Sequence, residues 1–184
     1  HAQSTWPTRP LTFVVAAGAG SSVDVFARVL AERLQRTLGQ SVVVDTRPGG
    51  NGVIGTQAVT SAKPDGYTFL FAGNSVIVIN PLMTKSLPFN IEKHLVAVAP
   101  VAYVPLAIAV RPGHPAKTIQ ELVAGSKSGD TFFATPGSAS LSRLIGENIN
   151  QMACTRFVNV PYPTGGAAQT DVIGGRVPVL IDGL

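Results

Sequence analysis

The amino-acid sequence predicts an α/β protein, on three observations. Short β-branched apolar runs alternate with amphipathic stretches along the whole chain. Loops rich in Gly and Ser sit where a strand would hand over to a helix. The 19 glycines and 14 prolines among 184 residues mark those joints. A chain of this length makes one large or two small domains. It can bury about two-thirds of its unfolded surface without staples.

The elements follow in order. Residues 11–15 read as a buried strand. The small-residue loop Gly18, Gly20, Ser21, Ser22 comes next. Phe26, Val29, Leu30, Leu34 and Leu38 then fall on one helical stripe. Ser21 with Asp24 three residues on fits a capping box, Asp standing in for Glu, and Gly39 supplies the stop. Residues 42–45 are the second strand, 47–52 a loop and 54–62 a short helix ended by the Lys63-Pro64-Asp65-Gly66 turn. Residues 67–72 are the third strand. Asn74-Ser75 opens a loop before a short helix over 76–83. Strands over 96–104 and 106–110 meet at Pro105, where the rhythm restarts. Two domains are therefore expected, 1–104 and 105–184.

In the second half, Thr118 caps a helix over 118–126 with Glu121 at its third position. Residues 132–134 are a strand and 136–140 a small-residue loop. A helix over 141–152, a strand over 156–160, a loop over 162–166, a helix over 167–173 and a strand over 179–182 complete the series. Repeated strand–helix units predict parallel, doubly wound sheets.

Composition narrows the function classes. Charged residues are 13% of the chain and the net charge is +4. The basic residues are scattered, so nucleic acid is not the expected partner. The single cysteine, Cys154, excludes an internal disulfide and a multi-thiolate metal site, and it reads as an inert, half-buried thiol. No apolar run reaches the ~18 residues that span a membrane. The start His1-Ala2-Gln3 leaves room for an A-x-A export cleavage just before Gln3.

The recurring strand–loop–helix joint is the main functional signal. Backbone N–H groups and the positive end of the helix dipole collect there. In open α/β sheets these joints line the crevice at the carboxyl ends of the strands. Five of them predict an anion-binding cleft made of backbone and hydroxyls. Gly50-Asn51-Gly52-Val53-Ile54-Gly55 also fits G-x-G-x-x-G. The acidic ribose partner is absent, since the positions where it belongs hold Ala72, Gly73 and Asn74. No G-x-S-x-G elbow exists, and His1, His94 and His114 stand alone as loop residues. No cofactor, metal or catalytic group is expected. Asp24 reads as a helix-capping residue. Asp182, at the end of the last strand, reads equally as a surface strand end and as a group that would hold an amino or hydroxyl group in the cleft.

These residues resemble one family. Val14-Val15-Ala16-Ala17-Gly18-Ala19-Gly20-Ser21-Ser22-Val23-Asp24 is similar to the first ligand loop of Bug-type extracytoplasmic solute receptors, the substrate-binding components of tripartite tricarboxylate transporters. Asp45-Thr46-Arg47-Pro48-Gly49-Gly50-Asn51-Gly52 resembles a second motif. Pro64-Asp65-Gly66-Tyr67-Thr68, Ile79-Asn80-Pro81, Val160-Pro161-Tyr162 and Gly174-Gly175-Arg176-Val177 resemble four more. The resemblance implies a two-domain periplasmic-binding-protein-like (Venus flytrap) fold, exported with its signal peptide removed. It implies capture of a small carboxylated metabolite between the domains for membrane transporter subunits, with no chemistry performed. By matched positions, Ala17, Gly18, Ala19, Gly20, Ser21 and Ser22 form the first ligand loop, with Asn74 and Ser75 as another wall. Gly137, Ser138, Ala139, Ser140, Tyr162, Thr164, Gly165, Gly166 and Asp182 form the second domain's side.

Departures also matter. Ala16, Ala17 and Ala19 replace family Pro, Phe and Pro, and Ser21 replaces a Gly, which restricts the first loop's backbone. Against the family pattern the return segment of domain one is missing, so a C-terminal truncation exposing apolar surface is expected. Two other readings remain: an α/β enzyme binding a dinucleotide or phosphorylated substrate through the Gly-rich loops, and a sensor that hands its ligand state to a signalling protein.

Overall fold

The computed structural model describes residues 6–183. The expected cleavage site before Gln3 and His1 lie outside the described residues. The chain divides into two compact units, with the break between Ala102 and Tyr103.

The first unit is built on β1 (Leu11–Val15), β2 (Val42–Thr46) and β3 (Thr68–Phe71). All pair parallel in the order β2-β1-β3. Alternation assigns the faces. Leu11 and Phe13 point to one side with Val42, Phe69 and Phe71. They meet Leu30, Ala31, Leu34 and Leu38 of helix α1 (Ser22–Leu38). The other side receives α2 (Val53–Thr60), whose Gly55 lies so close to β1 that a Cβ there would stand 2.8 Å from the Ala16 Cα. Two short helices, α3 (Asn80–Met83) and α4 (Ile91–His94), follow.

Residues 95–105 carry no strand. The sequence expects one over 96–104 because the run is apolar and β-branched. Apolar residues make a strand only where a neighbour pairs the backbone, and none does here among the described residues. Val96 is 90% exposed and Tyr103 89%.

The second unit is a four-stranded sheet in the order β4-β7-β5-β6, from β4 (Leu106–Val110), β5 (Thr131–Pro136), β6 (Phe157–Tyr162) and β7 (Val179–Gly183). Here the all-parallel expectation is corrected. β5 runs parallel to β6 and β7, but β4 runs antiparallel to β7, with Leu106 opposite Gly183. Both faces are covered. Phe133, Val179 and Ile181 pack with Phe157, Leu122 of α5 (Ile119–Gly125), and Ile145 and Ile149 of α6 (Leu141–Ala153). Ala134 and Leu180 point the other way, onto Ala168 and Val172 of α7 (Gly165–Ile173). Gly146 is where α6 crosses the sheet: a Cβ there would stand 2.2 Å from the Phe133 ring. Cys154 is exposed and caps α6 in the left-handed region at φ 51°, which corrects the half-buried reading.

Candidate anion-binding site

Parallel strands gather their outgoing loops at one edge. In the first unit β1, β2 and β3 deliver residues 16–21, 47–52 and 72–74 to the same edge of the sheet. In the second, β5, β6 and β7 deliver residues 137–140, 163–164 and Asp182-Gly183 to one edge. Within each unit, the fold thus brings together the residues singled out from the sequence.

Ser21 caps α1 from extended backbone, φ −69° and ψ 160°, and its Oγ accepts the Asp24 N–H. Serine is therefore unstrained where the family pattern has Gly, and Gly20, at φ 76°, takes the left-handed turn instead. The reciprocal half of the capping box differs from expectation. Asp24 accepts the Gly20 N–H at 3.0 Å, while the Ser21 N–H donates to the Gly18 carbonyl. Two of the loop's N–H groups are thus spent internally. The first-turn N–H groups of Ser22 and Val23 have no acceptor inside the helix, and Ser22 is exposed.

Asp24 is more than a cap. It is 3% exposed. Its carboxylate takes Gly20 N–H, the Arg28 Nε–H at 3.1 Å and the Thr46 hydroxyl at 3.1 Å. The hydrogen bond from Arg28 is the main cause holding its pKa below the usual carboxylate value, against the opposing effect of burial. The signal for this role was present in the sequence, since Arg28 lies one helical turn beyond Asp24, but the partner Thr46 comes from another strand.

The second and third loops interlock. A Cβ on Gly52 would stand 2.5 Å from a Val76 methyl, and Asn80 Nδ2 donates to the Asn51 carbonyl at 3.2 Å. Asn51 sits at φ 53°. Two glycines of the G-x-G-x-x-G run are therefore accounted for by close packing, Gly52 on Val76 and Gly55 on β1, and Gly50 by its left-handed φ of 56°. Asn74 and Ser75 do not form an open loop. Asn74 stands exposed at the head of a π-helical turn, Ser75–Ile79, that runs into α3. Such wide turns recur at functional sites.

In the second unit, Ser140 caps α6. Its Oγ accepts the Arg143 N–H and lies 3.2 Å from the Gly137 carbonyl, to which it donates. Thr135 is fully buried and bridges the Gly137 carbonyl and Asn159 Oδ1. Gly137, at φ 87°, donates to the Tyr162 carbonyl, which ties the ends of β5 and β6 together. Arg143 reaches back to the Ser138 carbonyl, and Ala139 is buried beneath the turn. Thr164 caps α7 by accepting the Ala167 N–H, so the helix begins at Gly165, two residues earlier than expected. Gly165 and Gly166 are thus first-turn donors. The Tyr162 hydroxyl is committed to Asp171, and burial, followed by that bond, raises its pKa.

Asp182 faces α7. A Cβ on Gly165 would lie 2.5 Å from Asp182 Oδ2, and the Gly183 N–H donates to Oδ1 at 2.7 Å. Burial pushes its pKa up, with the Gly183 N–H and the Gln169 side chain opposing. This carboxylate stands at the α7 N-terminus, where the helix dipole favours negative charge.

The opposite edge of the second unit has a concavity of about 430 Å³ beside α5. Three of its polar lining residues are engaged by the nearby backbone. His114 Nδ1 accepts the Ala116 N–H, Glu121 accepts the Lys117 N–H and the Ser126 hydroxyl donates to the Leu122 carbonyl. His94 is the last residue of α4 rather than a loop residue; it is exposed, and its Nδ1 accepts the Asn90 N–H. Among the described residues no three His, Cys, Asp or Glu gather to hold a metal, and no helix is long and apolar enough to cross a membrane.

Sheets flanked by helices, with capped helix N-termini collected at the carboxyl edge of each, are an α/β architecture that periplasmic-binding-protein structures share. The profile of the tripartite tricarboxylate transporter family receptor matches residues 26–184, and the chain belongs to that family. It is 67% identical to a UPF0065 protein of Bordetella bronchiseptica over 98% of this chain and 54% of that protein. It is 35% identical to the protein BugT of Bordetella pertussis over 98% of this chain and 56% of the relative. The chain spans about half the length of the curated relatives it matches. Among solved structures, one described as a periplasmic transporter superposes with a TM-score of 0.91 at 31% identity, covering 97% of this chain and 61% of that one. A Rhodopseudomonas palustris protein solved with adipate gives 0.89 at 29%, covering 97% and 60%. The family and these neighbours are solute receptors rather than enzymes.

Proposed function

We propose that this chain is the ligand-gathering portion of a periplasmic solute receptor. It captures a small carboxylated metabolite and presents it to membrane subunits of a tripartite tricarboxylate-type transporter. The observation that carries the reading is the repeated device of a Ser or Thr cap opening a helix at the carboxyl edge of a sheet: Ser21 on α1, Ser140 on α6 and Thr164 on α7. On α1 the cap occupies the third N–H and leaves those of Ser22 and Val23 to a carboxylate. The adipate named with one solved relative supports the carboxylate class. The two domains, 1–104 and 105–184, each supply loops. Ala17, Gly18, Ala19, Gly20, Ser21, Ser22, Asn74 and Ser75 come from the first. Gly137, Ser138, Ala139, Ser140, Tyr162, Thr164, Gly165, Gly166 and Asp182 come from the second. Each charge-assisted hydrogen bond to the ligand is worth roughly 1.5–3 kcal/mol.

Thermal unfolding against succinate, malate, adipate, aspartate and NAD tests this. A carboxylate at 100 times its Kd stabilises by about 2.7 kcal/mol, whereas NAD leaves the midpoint in place. Ser22→Ala removes an exposed hydroxyl at the head of α1, so it weakens carboxylate binding in calorimetry with Tm unchanged. A midpoint that moves with NAD alone overturns the reading.

A further inference from the structure

We infer that Asp24 is the positioning residue of the first anion loop, the group that decides which of the loop's backbone N–H groups face a ligand. The inference rests on the receptor reading above.

The carboxylate gathers donors from three places. The Gly20 N–H belongs to the loop, Arg28 Nε to the next turn of α1, and the Thr46 hydroxyl to the end of β2. Arg28 Nη2 also lies 3.4 Å from Thr46 Oγ1, which closes the set into a ring. A buried carboxylate with three donors has few alternative arrangements. It therefore ties the turn at Gly20 to both the helix that follows and the neighbouring strand.

The chemistry of the loop follows. Gly20 has φ 76°, a turn that a flexible glycine holds only if something fixes it. Asp24 supplies that fixing bond and in doing so withdraws the Gly20 N–H from any ligand. The donors left at the helix head are then Ser22 and Val23. Asp24 also places a negative charge one turn from where a carboxylate would bind, and this should repel a ligand. Arg28, in an ion pair at 3.1 Å, neutralises it. A loop that binds anions while holding a buried carboxylate needs that pairing.

The test uses amide hydrogen exchange by NMR on the 184-residue chain, followed by adipate titration. In Asp24→Asn, Gly20 amide exchange speeds at least tenfold and the resonances of residues 19–22 broaden, while amides of the second unit keep their wild-type rates. Thr46→Val removes one donor only and gives a smaller acceleration of about three-fold, which keeps the inference testable should Asp24→Asn fail to fold. Unchanged Gly20 exchange in both variants overturns the clamp. Where wild type binds adipate, affinity falls about tenfold in Asp24→Asn at a temperature where the variant is fully folded. Unchanged affinity alongside loosened Gly20 makes Asp24 merely structural and overturns the positioning role while the receptor reading stands. If wild type binds none of the carboxylates, the receptor reading fails, and with it the positioning role, whatever the amide result.

Discussion

The two units use the same strand–cap–helix joint but finish their sheets differently. The second unit covers both faces. Phe133 and Ile181 are fully buried under α5 and α6, and Ala134 lies under α7. The first unit has a three-stranded sheet with an aromatic and aliphatic cluster under α1 and with α2 on its other face, and its residues 95–102 carry no strand, 96–102 being exposed. The lesson is that local sequence builds the joint, while burial of the run beyond it depends on which neighbours pair with it. The same type of apolar run is a strand at 106–110, where β7 pairs with it, and not at 96–104.

The largest break in this comparison comes from Phe133→Ala. It empties the centre of the second unit and costs about 3–5 kcal/mol there. Trp6, the chain's one tryptophan, packs against Tyr67 in the first unit, so its fluorescence reports that unit. Circular dichroism should lose its second-unit component at lower denaturant while the Trp6 transition holds its midpoint. Coincident shifts of both probes would show that the units unfold as one.

A smaller effect separates the two caps. Ser140 is buried and makes two bonds, accepting from Arg143 and donating to Gly137. Ser140→Ala should cost about 2 kcal/mol, the upper end for a cap. Ser21→Ala should cost about 1 kcal/mol, because Asp24 still holds Gly20 and Thr46 to the helix. Urea midpoints of the two variants settle the order.

The smallest effect is in pH, and two carboxylates, the buried Asp24 and the half-buried Asp182, differ in sign. Asp24 has a folded-state pKa below its ordinary 3.8. Its contribution is therefore stabilising above 3.8 and is lost as pH falls from there toward the folded value. Asp182 has a folded-state pKa above 3.8. Ionising it costs stability above that raised value, and the cost fades as pH falls toward 3.8. Asp182→Asn should therefore stabilise the second unit at neutral pH, with the gain shrinking on acidification. Asp24→Asn should destabilise the first unit at neutral pH, with the loss shrinking below 3.8. Unfolding curves taken between pH 3 and pH 7 distinguish the two.

Much of this was legible in the residues themselves. The apolar stripe from Phe26 to Leu38 and the Gly39 stop marked α1, and Gly39 closes it at φ 67° as expected, but Phe26 and Val29 of that stripe are exposed and only Leu30, Leu34 and Leu38 pack on the sheet. Thr118 and Glu121 bracket α5, with Glu121 accepting the Lys117 N–H rather than that of the cap itself. The motifs carrying the family resemblance also lie within short stretches of sequence. The antiparallel pairing of β4 with β7 was not legible, because a strand's direction in its sheet depends on its distant partner rather than on its own residues. The early start of α7 was missed because two glycines disfavour a helix, yet the Thr164 cap and the packing of Ala168 and Val172 outweigh that cost.

Periodicity, capping residues and glycine placement, read from the sequence alone, determined the α/β class, most of the strands and helices, and the small polar loops between them. These signals are local, set by sterics and hydrogen bonds within a few residues. Only the tertiary structure decided that Thr46 meets Asp24, that Asp182 stands at Gly165 and that Gly52 and Gly55 of the G-x-G-x-x-G run serve packing. Those contacts join residues from 17 to 39 positions apart, and their geometry is fixed by strand register and helix packing, which no local pattern encodes.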